Sequence, residues 1–139
     1  MTFAGKVFLV TGGGSGIGLG IVRAALAAGA SVAFCGRDRA KGAAALAALA
    51  AGERAAFLPA DVTDEAQVQG LLRAVVERFG RLDALVNNAG AGARRSGVAA
   101  EDGPAARWRK IVGPNLEGPY LMGAHALPHL KAARGGAIV

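Results

Sequence analysis

The sequence predicts an α/β fold, a doubly wound parallel sheet with helices on both faces. Three observations predict it. Short apolar runs alternate with helical patterns along the chain, the apolar runs are continuous, and the first of them leads through a glycine-rich turn into a helix. Strand and helix in strict alternation imply parallel pairing through right-handed crossovers. Strands covered on both faces carry unbroken apolar runs instead of alternating ones. The strand order that suits a nucleotide-binding half of this kind is 3-2-1-4-5.

Each element has its own signal. Val7, Phe8, Leu9 and Val10 read as a buried first strand. After the glycine turn, Ile17, Ile21, Ala25 and Ala28 recur at helical spacing, and Gly29 stops that helix. Residues 31–36 form a second strand, residues 40–51 an alanine-rich helix ending at Gly52, and residues 55–59 a third strand. Thr63 is placed to cap the next helix, with Asp64 and Glu65 in a first turn that favours acids. Val68, Leu71, Leu72, Val75, Val76 and Phe79 make its apolar stripe, and Gly80 ends it. Residues 84–86 start a fourth strand. Residues 91–103 are a loop, and a long segment runs from 104 to 133. There Pro114 and Pro119 bracket Asn115 and predict a kink, because a proline lacks the N–H and crowds the carbonyl four residues back. Residues 135–139 read as a turn and the first residues of a fifth strand, truncated by the C-terminus.

Bulk properties exclude several classes. With 139 residues, 53% of them hydrophobic, the chain suits one globular domain with one core. The net charge is +6, but the basic residues are scattered, apart from Arg94 and Arg95 and the group Arg107, Arg109 and Lys110. No basic stripe interleaved with aromatics is present, so no nucleic-acid partner is expected. No apolar run reaches a membrane span, and the start lacks the pattern of a signal peptide. Cys35 is the single cysteine, which suits a reducing, cytoplasmic setting; within a strand it reads as core. His125 and His129 share a helical spacing but have no third ligand, and Pro128 disturbs the local helix, so no metal site is expected. Trp108 reads as a packing residue.

The chemistry begins at Thr11-Gly12-Gly13-Gly14-Ser15-Gly16-Ile17-Gly18. A glycine-rich turn between a strand and a helix is the setting of dinucleotide binding. Gly12 permits the tight turn, Gly16 lets a pyrophosphate approach the backbone, and Gly18 lets helix and sheet pack closely. Free N–H groups at the helix start then face the phosphates. The spacing is T-G-x-x-x-G-x-G, not the literal G-x-G-x-x-G.

That spacing, with three further segments in order, resembles the short-chain dehydrogenase/reductase family. Asp61-Val62 falls where the family has an adenine-contacting Asp. Asn87-Asn88-Ala89-Gly90 is similar to its N-N-A-G motif. The stretch 108–118 resembles its helix with an active-site Asn, here Asn115, and the turn at 135–139 resembles the approach to its catalytic strand. The resemblance implies a Rossmann-type fold, with residues 1–139 as the N-terminal part of an NAD(P)-binding domain. It implies an oxidoreductase that passes hydride between nicotinamide and a carbonyl or secondary alcohol, with a homo-oligomeric parent protein. The implied cofactor residues are Gly12, Gly14, Ser15, Gly16, Ile17, Gly18, Arg37, Asp61, Val62, Asn88, Ala89 and Gly90, and the implied catalytic residue is Asn115. In the family the backbone carbonyl of that Asn holds a water in a proton relay, and Pro119 would leave the Asn115 carbonyl available for it. A plainer reading of Asn87 and Asn88 is that they tie the first strand to the fourth.

The end of the second strand decides the cofactor. An acid there would accept ribose hydroxyls and repel a 2′-phosphate. The corresponding position is Gly36, followed by Arg37, whose guanidinium can pair with a phosphate. NADP(H) is favoured; Asp38, slightly late for the role, keeps NAD(H) open, and Ser15 supplies no second basic residue in the glycine turn. The family's acid–base residues, Ser and Tyr-x-x-x-Lys, are absent. Tyr120 is the one tyrosine, and Ala124 stands where Lys would be. The 139-residue chain is therefore expected to show no dehydrogenase turnover, which an assay of purified chain free of host reductases checks. A second reading, a non-catalytic dinucleotide-binding or interaction module, stands if the chain truly ends at Val139.

Overall fold

The computed structural model describes residues 2–92 and 97–139; Arg94, Arg95 and Ser96 lie outside the described residues. In chain order the elements are β1 (Val7–Thr11), α1 (Gly16–Ala27), β2 (Ser31–Gly36), α2 (Arg39–Leu49), a 3₁₀ turn (Gly52–Arg54), β3 (Ala55–Pro59), α3 (Glu65–Phe79) and β4 (Ala84–Val86). Then come α4 (Pro104–Val112), a π-helical turn (Gly113–Glu117), α5 (Gly118–Ala132) and β5 (Ala137–Ile138). One sheet holds all five strands in the order β3-β2-β1-β4-β5. Every pairing is parallel, with Leu9 level with Ala33 on one side and Leu85 on the other.

The alternating direction of side chains along each strand sends the core to both faces. Val7, Leu9, Ala33, Cys35 and Leu85 pack on one face with Val68, Leu72 and Val75 of α3 and Met122, Ala126 and Leu130 of α5. Val10, Val32, Phe34 and Ala55 pack on the other with Val22, Ala25 and Leu26 of α1 and Ala45 of α2. Each fully buried Val or Leu contributes about 1.5–3 kcal/mol. The two faces explain why the strands read as continuous apolar runs.

A polar pin holds the start of the sheet. Asp83 is buried, yet its carboxylate accepts from the Val7 N–H at 3.0 Å, from Lys6 Nζ at 3.0 Å and from Arg81 Nε and Nη2 at 2.7 Å each. Its main chain continues the pairing: Asp83 N donates to the Val7 carbonyl, and Ala137 N donates to the Asp83 carbonyl. One residue thus sets β1, β4 and β5 in register.

The local expectations need several corrections. The helix after β3 is capped by Asp64, not Thr63: Asp64 Oδ1 accepts from Gln67 N at 3.1 Å. Thr63 instead donates through its N–H and hydroxyl to Asp61. On α1 the buried face is Gly18, Val22, Ala25 and Leu26, whereas Ile17 is 79% exposed, because the first turn of α1 rides above the ends of the strands. Trp108 is 66% exposed, so it does not pack into the core. Pro128 sits inside α5 without ending it. The long segment stays helical throughout, but the α ladder gives way to one π turn over Gly113–Glu117, and Pro119, just beyond it in α5, donates no bond back to that turn.

Candidate functional site

The carboxyl ends of β1 to β4 open onto a cleft of about 670 Å³. Clefts of this kind at the carboxyl edge of a parallel sheet are where α/β proteins bind ligands. The floor is built by Thr11, the buried last residue of β1. Its hydroxyl accepts from Asn88 N at 3.0 Å and Ala89 N at 2.9 Å, and lies 3.4 Å from the Val86 carbonyl it donates to. The Asn88 side chain returns the contact, donating through Nδ2 to the carbonyls of Thr11 at 3.0 Å and Gly12 at 3.3 Å. Asn88 therefore ties β1 to β4, and this leaves its backbone neighbours Ala89 and Gly90 lining the cleft.

The glycines of the turn are there for space. Gly12 has φ +67°. A Cβ on Gly18 would run into the Gly12 carbonyl and lie 2.5 Å from Asn88 Nδ2, so only glycine lets α1 start this close to the sheet. Gly16 has φ +54° and open space where a side chain would point. Ser15 begins α1 with no side-chain cap bond, leaving its hydroxyl to the cleft. A turn with bare backbone, a helix N-terminus and an uncommitted hydroxyl fits a phosphate group.

The side walls come from β2 and β3. Gly36 and Arg37 follow Cys35, whose thiol is pushed up to about 12, chiefly by burial; this makes it inert. Arg37 Nη1 stands 3.9 Å from Asp61 Oδ2. Asp61 Oδ1 is held by Thr63 N at 2.9 Å and Thr63 Oγ1 at 2.7 Å, so the carboxylate is aimed and not free to turn. Val62 is buried under Gly118, where a Cβ would sit 2.6 Å from Val62 Cγ2.

The structure brings Gly12, Ser15, Gly16, Ile17, Gly18, Arg37, Asp61, Val62, Asn88, Ala89 and Gly90 to this one cleft. Gly14 lines a smaller neighbouring hollow instead. Asn115 lies behind the wall. Its Nδ2 donates to the Ala91 carbonyl at 2.8 Å and the Ile111 carbonyl at 2.7 Å, and its Oδ1 would be 2.5 Å from a Cβ on Gly90. The last glycine of Asn87-Asn88-Ala89-Gly90 is thus explained by the Asn 25 residues later. The π turn adds Gly113, Pro114 and Glu117 to the lining, and α4 adds Arg109 and Lys110. Sequence reasoning missed these, since nothing local marks a π turn except the paired prolines. Lys110 is committed to Asp102 at 2.7 Å. His125 pairs with Glu65 at 2.7 Å, and among the described residues no three ligating side chains gather as a metal site would require. No helix among the described residues is long and apolar enough to cross a membrane.

The family model described as "short chain dehydrogenase" matches residues 6–139. The chain belongs to the short-chain dehydrogenase family. It is 44% identical over 136 residues to an L-fucose dehydrogenase of Bos taurus, a match covering 98% of this chain and 48% of the relative. Among solved structures it is similar to a Pseudomonas aeruginosa RhlG/NADP active-site complex, with TM-score 0.82 and 37% identity over 95% of this chain and 50% of that one. It is likewise similar to a 3-ketoacyl-(acyl-carrier-protein) reductase from Brucella melitensis complexed with NADH, with TM-score 0.83 and 37% identity over 94% and 52%. The chain spans about half the length of the relatives it matches. Tyr120, on the exposed side of α5, is followed four residues on by Ala124 and not by Lys.

Proposed function

We propose that residues 1–139 form the nicotinamide-dinucleotide-binding part of an oxidoreductase that transfers hydride between the cofactor and a carbonyl or secondary alcohol, with NADP(H) the favoured cofactor. The cleft carries the binding half of this reading. The turn over Gly12, Ser15, Gly16 and Gly18 would hold the pyrophosphate; Asp61 and Val62 would meet the adenine, and Asn88, Ala89 and Gly90 would line the nucleoside. The cofactor supplies the hydride chemistry when bound. This chain's own residues bind and orient it. Asn115 holds Gly90 and Ala91 in place, and we assign it a positioning role together with its backbone carbonyl in a proton relay. A small-molecule substrate belongs to the same proposal, supported by relatives that include dehydrogenases of L-fucose, cis-4-hydroxycyclohexanecarboxylate and D-threitol.

One observation carries the preference for NADP(H). The residue that kept NAD(H) open, Asp38, is the N-cap of α2, and its Oδ1 accepts from Lys41 N at 2.9 Å. Its Oδ1 is turned to the helix, where a cap contributes about 1 kcal/mol, and Asp38 lines the smaller hollow beside the cleft instead of the cleft itself. Arg37 does line it, and its guanidinium is 69% exposed. Titration of the protein with NADPH and NADH, followed by nicotinamide fluorescence, is expected to give at least about tenfold tighter binding of NADPH, the lower bound for one charge-assisted phosphate contact. Equal affinities would remove the preference, and binding of neither would remove the cofactor reading.

A homo-oligomeric parent and a cytoplasmic setting belong to the same proposal. Leu116 of the π turn and Tyr120 and Leu127 of α5 are exposed on the side opposite the buried Gly118, Met122, Ala126 and Leu130, which suits a self-associating face. The lone buried Cys35 suits a reducing compartment.

A further inference from the structure

We infer that Asp102 is a positioning residue for the cofactor cleft: with Lys110 and Arg107 it fastens residues 97–102 to α4, and α4 in turn holds the Ala91 side of the cleft. The inference rests on the cofactor reading above and adds a residue that lies outside the motifs carrying that reading.

The fastening runs from one helix face to one turn. Asp102 Oδ2 accepts from Lys110 Nζ at 2.7 Å and from Ala99 N at 2.7 Å. The same ammonium donates to the Gly97 carbonyl at 2.9 Å. Arg107, three residues before Lys110 and so on the same helix face, donates through Nε to the Asp102 carbonyl at 2.9 Å and through Nη2 to the Ala100 carbonyl at 3.0 Å. Asp102 N closes the turn on the Ala99 carbonyl at 3.2 Å. The Asp102 side chain is 14% exposed, and its bonds to Lys110 and to the Ala99 N–H hold the carboxyl below the ordinary carboxylate range.

The entry to α4 lacks the usual devices that fix a helix start. Its N-cap is Gly103, with no side-chain cap bond, and its first turn holds no acid. The carbonyls and carboxylate of residues 97–102 take their place, drawing two cations back toward the helix start. From α4 the link runs on to the cleft. Arg109 and Lys110 line it, and Asn115 joins the Ile111 carbonyl of α4 to the Ala91 carbonyl. The connection from β4 is thus tied to this helix twice, at Ala91 by Asn115 and at residues 97–102 by the Asp102 set. A connection rich in glycine and alanine has few side chains to pack, so such bonds must offset its ordering entropy and govern how often the wall is in place. Neither Asp102 nor Arg107 lines the cleft, so what they do for a ligand they do through that wall.

The test is fluorescence titration of the protein and its Asp102→Ala, Asp102→Glu and Arg107→Gln variants with NADPH and NADH, alongside thermal unfolding and hydrogen exchange at the Ala99 amide. Asp102→Ala is expected to weaken NADPH and NADH alike by about three- to tenfold, because the binding-competent wall is populated for a smaller fraction of the time. Exchange at Ala99 should quicken while the unfolding midpoint hardly moves. Asp102→Glu, which keeps a carboxylate within reach of the flexible Lys110 stem, should recover most of the affinity. Arg107→Gln, which leaves the Asp102 carboxylate in place, should give a smaller loss of the same kind, and it carries the test if Asp102→Ala does not fold. A wild type that binds cofactor, with every folded variant binding as tightly, overturns the role of Asp102 and leaves the cofactor reading standing. A loss confined to NADPH, or one that Asp102→Glu does not recover, does the same. A wild type that binds neither cofactor overturns both.

Discussion

Asp83→Ala is expected to destabilise the protein by about 3 kcal/mol, roughly a fifth to three-fifths of a typical domain's stability. The carboxylate is 4% exposed and is the meeting point of the Val7 N–H, Lys6 and Arg81. Removing it strands the buried Val7 N–H at the start of β1, a penalty of about 1–3 kcal/mol. It also ends three charge-assisted bonds, but Lys6 and Arg81 are 45% and 41% exposed and can rehydrate, which keeps the loss below that of a fully buried pair. Urea unfolding should show a lower midpoint with an unchanged slope. A loss under about 1 kcal/mol would mean that water satisfies Val7 in the variant.

The same residue sets an acid limit. Burial alone pushes the Asp83 carboxyl up; the Arg81 side-chain bonds, the Val7 N–H and Lys6 outweigh burial and hold it below the ordinary carboxylate value. The folded value is thus lower than the unfolded one. Its contribution is complete above the ordinary value of about 4 and is lost as pH falls through the folded value. Asp83→Asn should therefore flatten the fall in stability below about pH 4 while lowering stability at neutral pH.

The architecture was legible because it depends on features that repeat. Four apolar runs, a glycine turn and the α3 stripe over Val68, Leu71, Leu72 and Val75 all obey local rules of periodicity, and the sheet order followed from them. What stayed hidden depends on partners far along the chain. Asp83 reads as a polar residue at a strand start until Lys6, 77 residues earlier, closes on it; the signal was a charged pair, Arg81 and Asp83, beside an otherwise apolar strand. Thr63 and Asp64 are both good caps, and which one serves was decided by Asp61, which binds the Thr63 hydroxyl. Ile17 fits the helical stripe, yet a stripe gives a face and not an end, and the first turn of α1 stands above the sheet. For the site, the residues came from motifs, but their grouping needed the fold: Gly90 and Asn115 explain each other only once α4 and the π turn are laid beside β4.

In the proposed cofactor site, Arg37→Asp is expected to reverse the preference from NADPH to NADH. The guanidinium is exposed and 3.9 Å from Asp61, a distance and exposure at which an ion pair contributes about 0–1 kcal/mol. Losing it should leave stability nearly unchanged. Losing a charge-assisted phosphate contact costs about 1.5–3 kcal/mol, or roughly tenfold to a hundredfold in affinity. The new carboxylate would also stand near Asp61, so two acids would face the 2′-position and repel a phosphate. An acid at the end of β2 can accept ribose hydroxyls, so NADH should bind at least as well as before. Arg37→Gln separates the two effects: it removes the cation without adding an acid, so it should lose NADPH affinity and gain nothing with NADH. Fluorescence titration of both variants with both cofactors reads this directly. If Arg37→Asp keeps the wild-type ratio of affinities, Arg37 does not hold the 2′-phosphate and the preference must come from elsewhere in the groove.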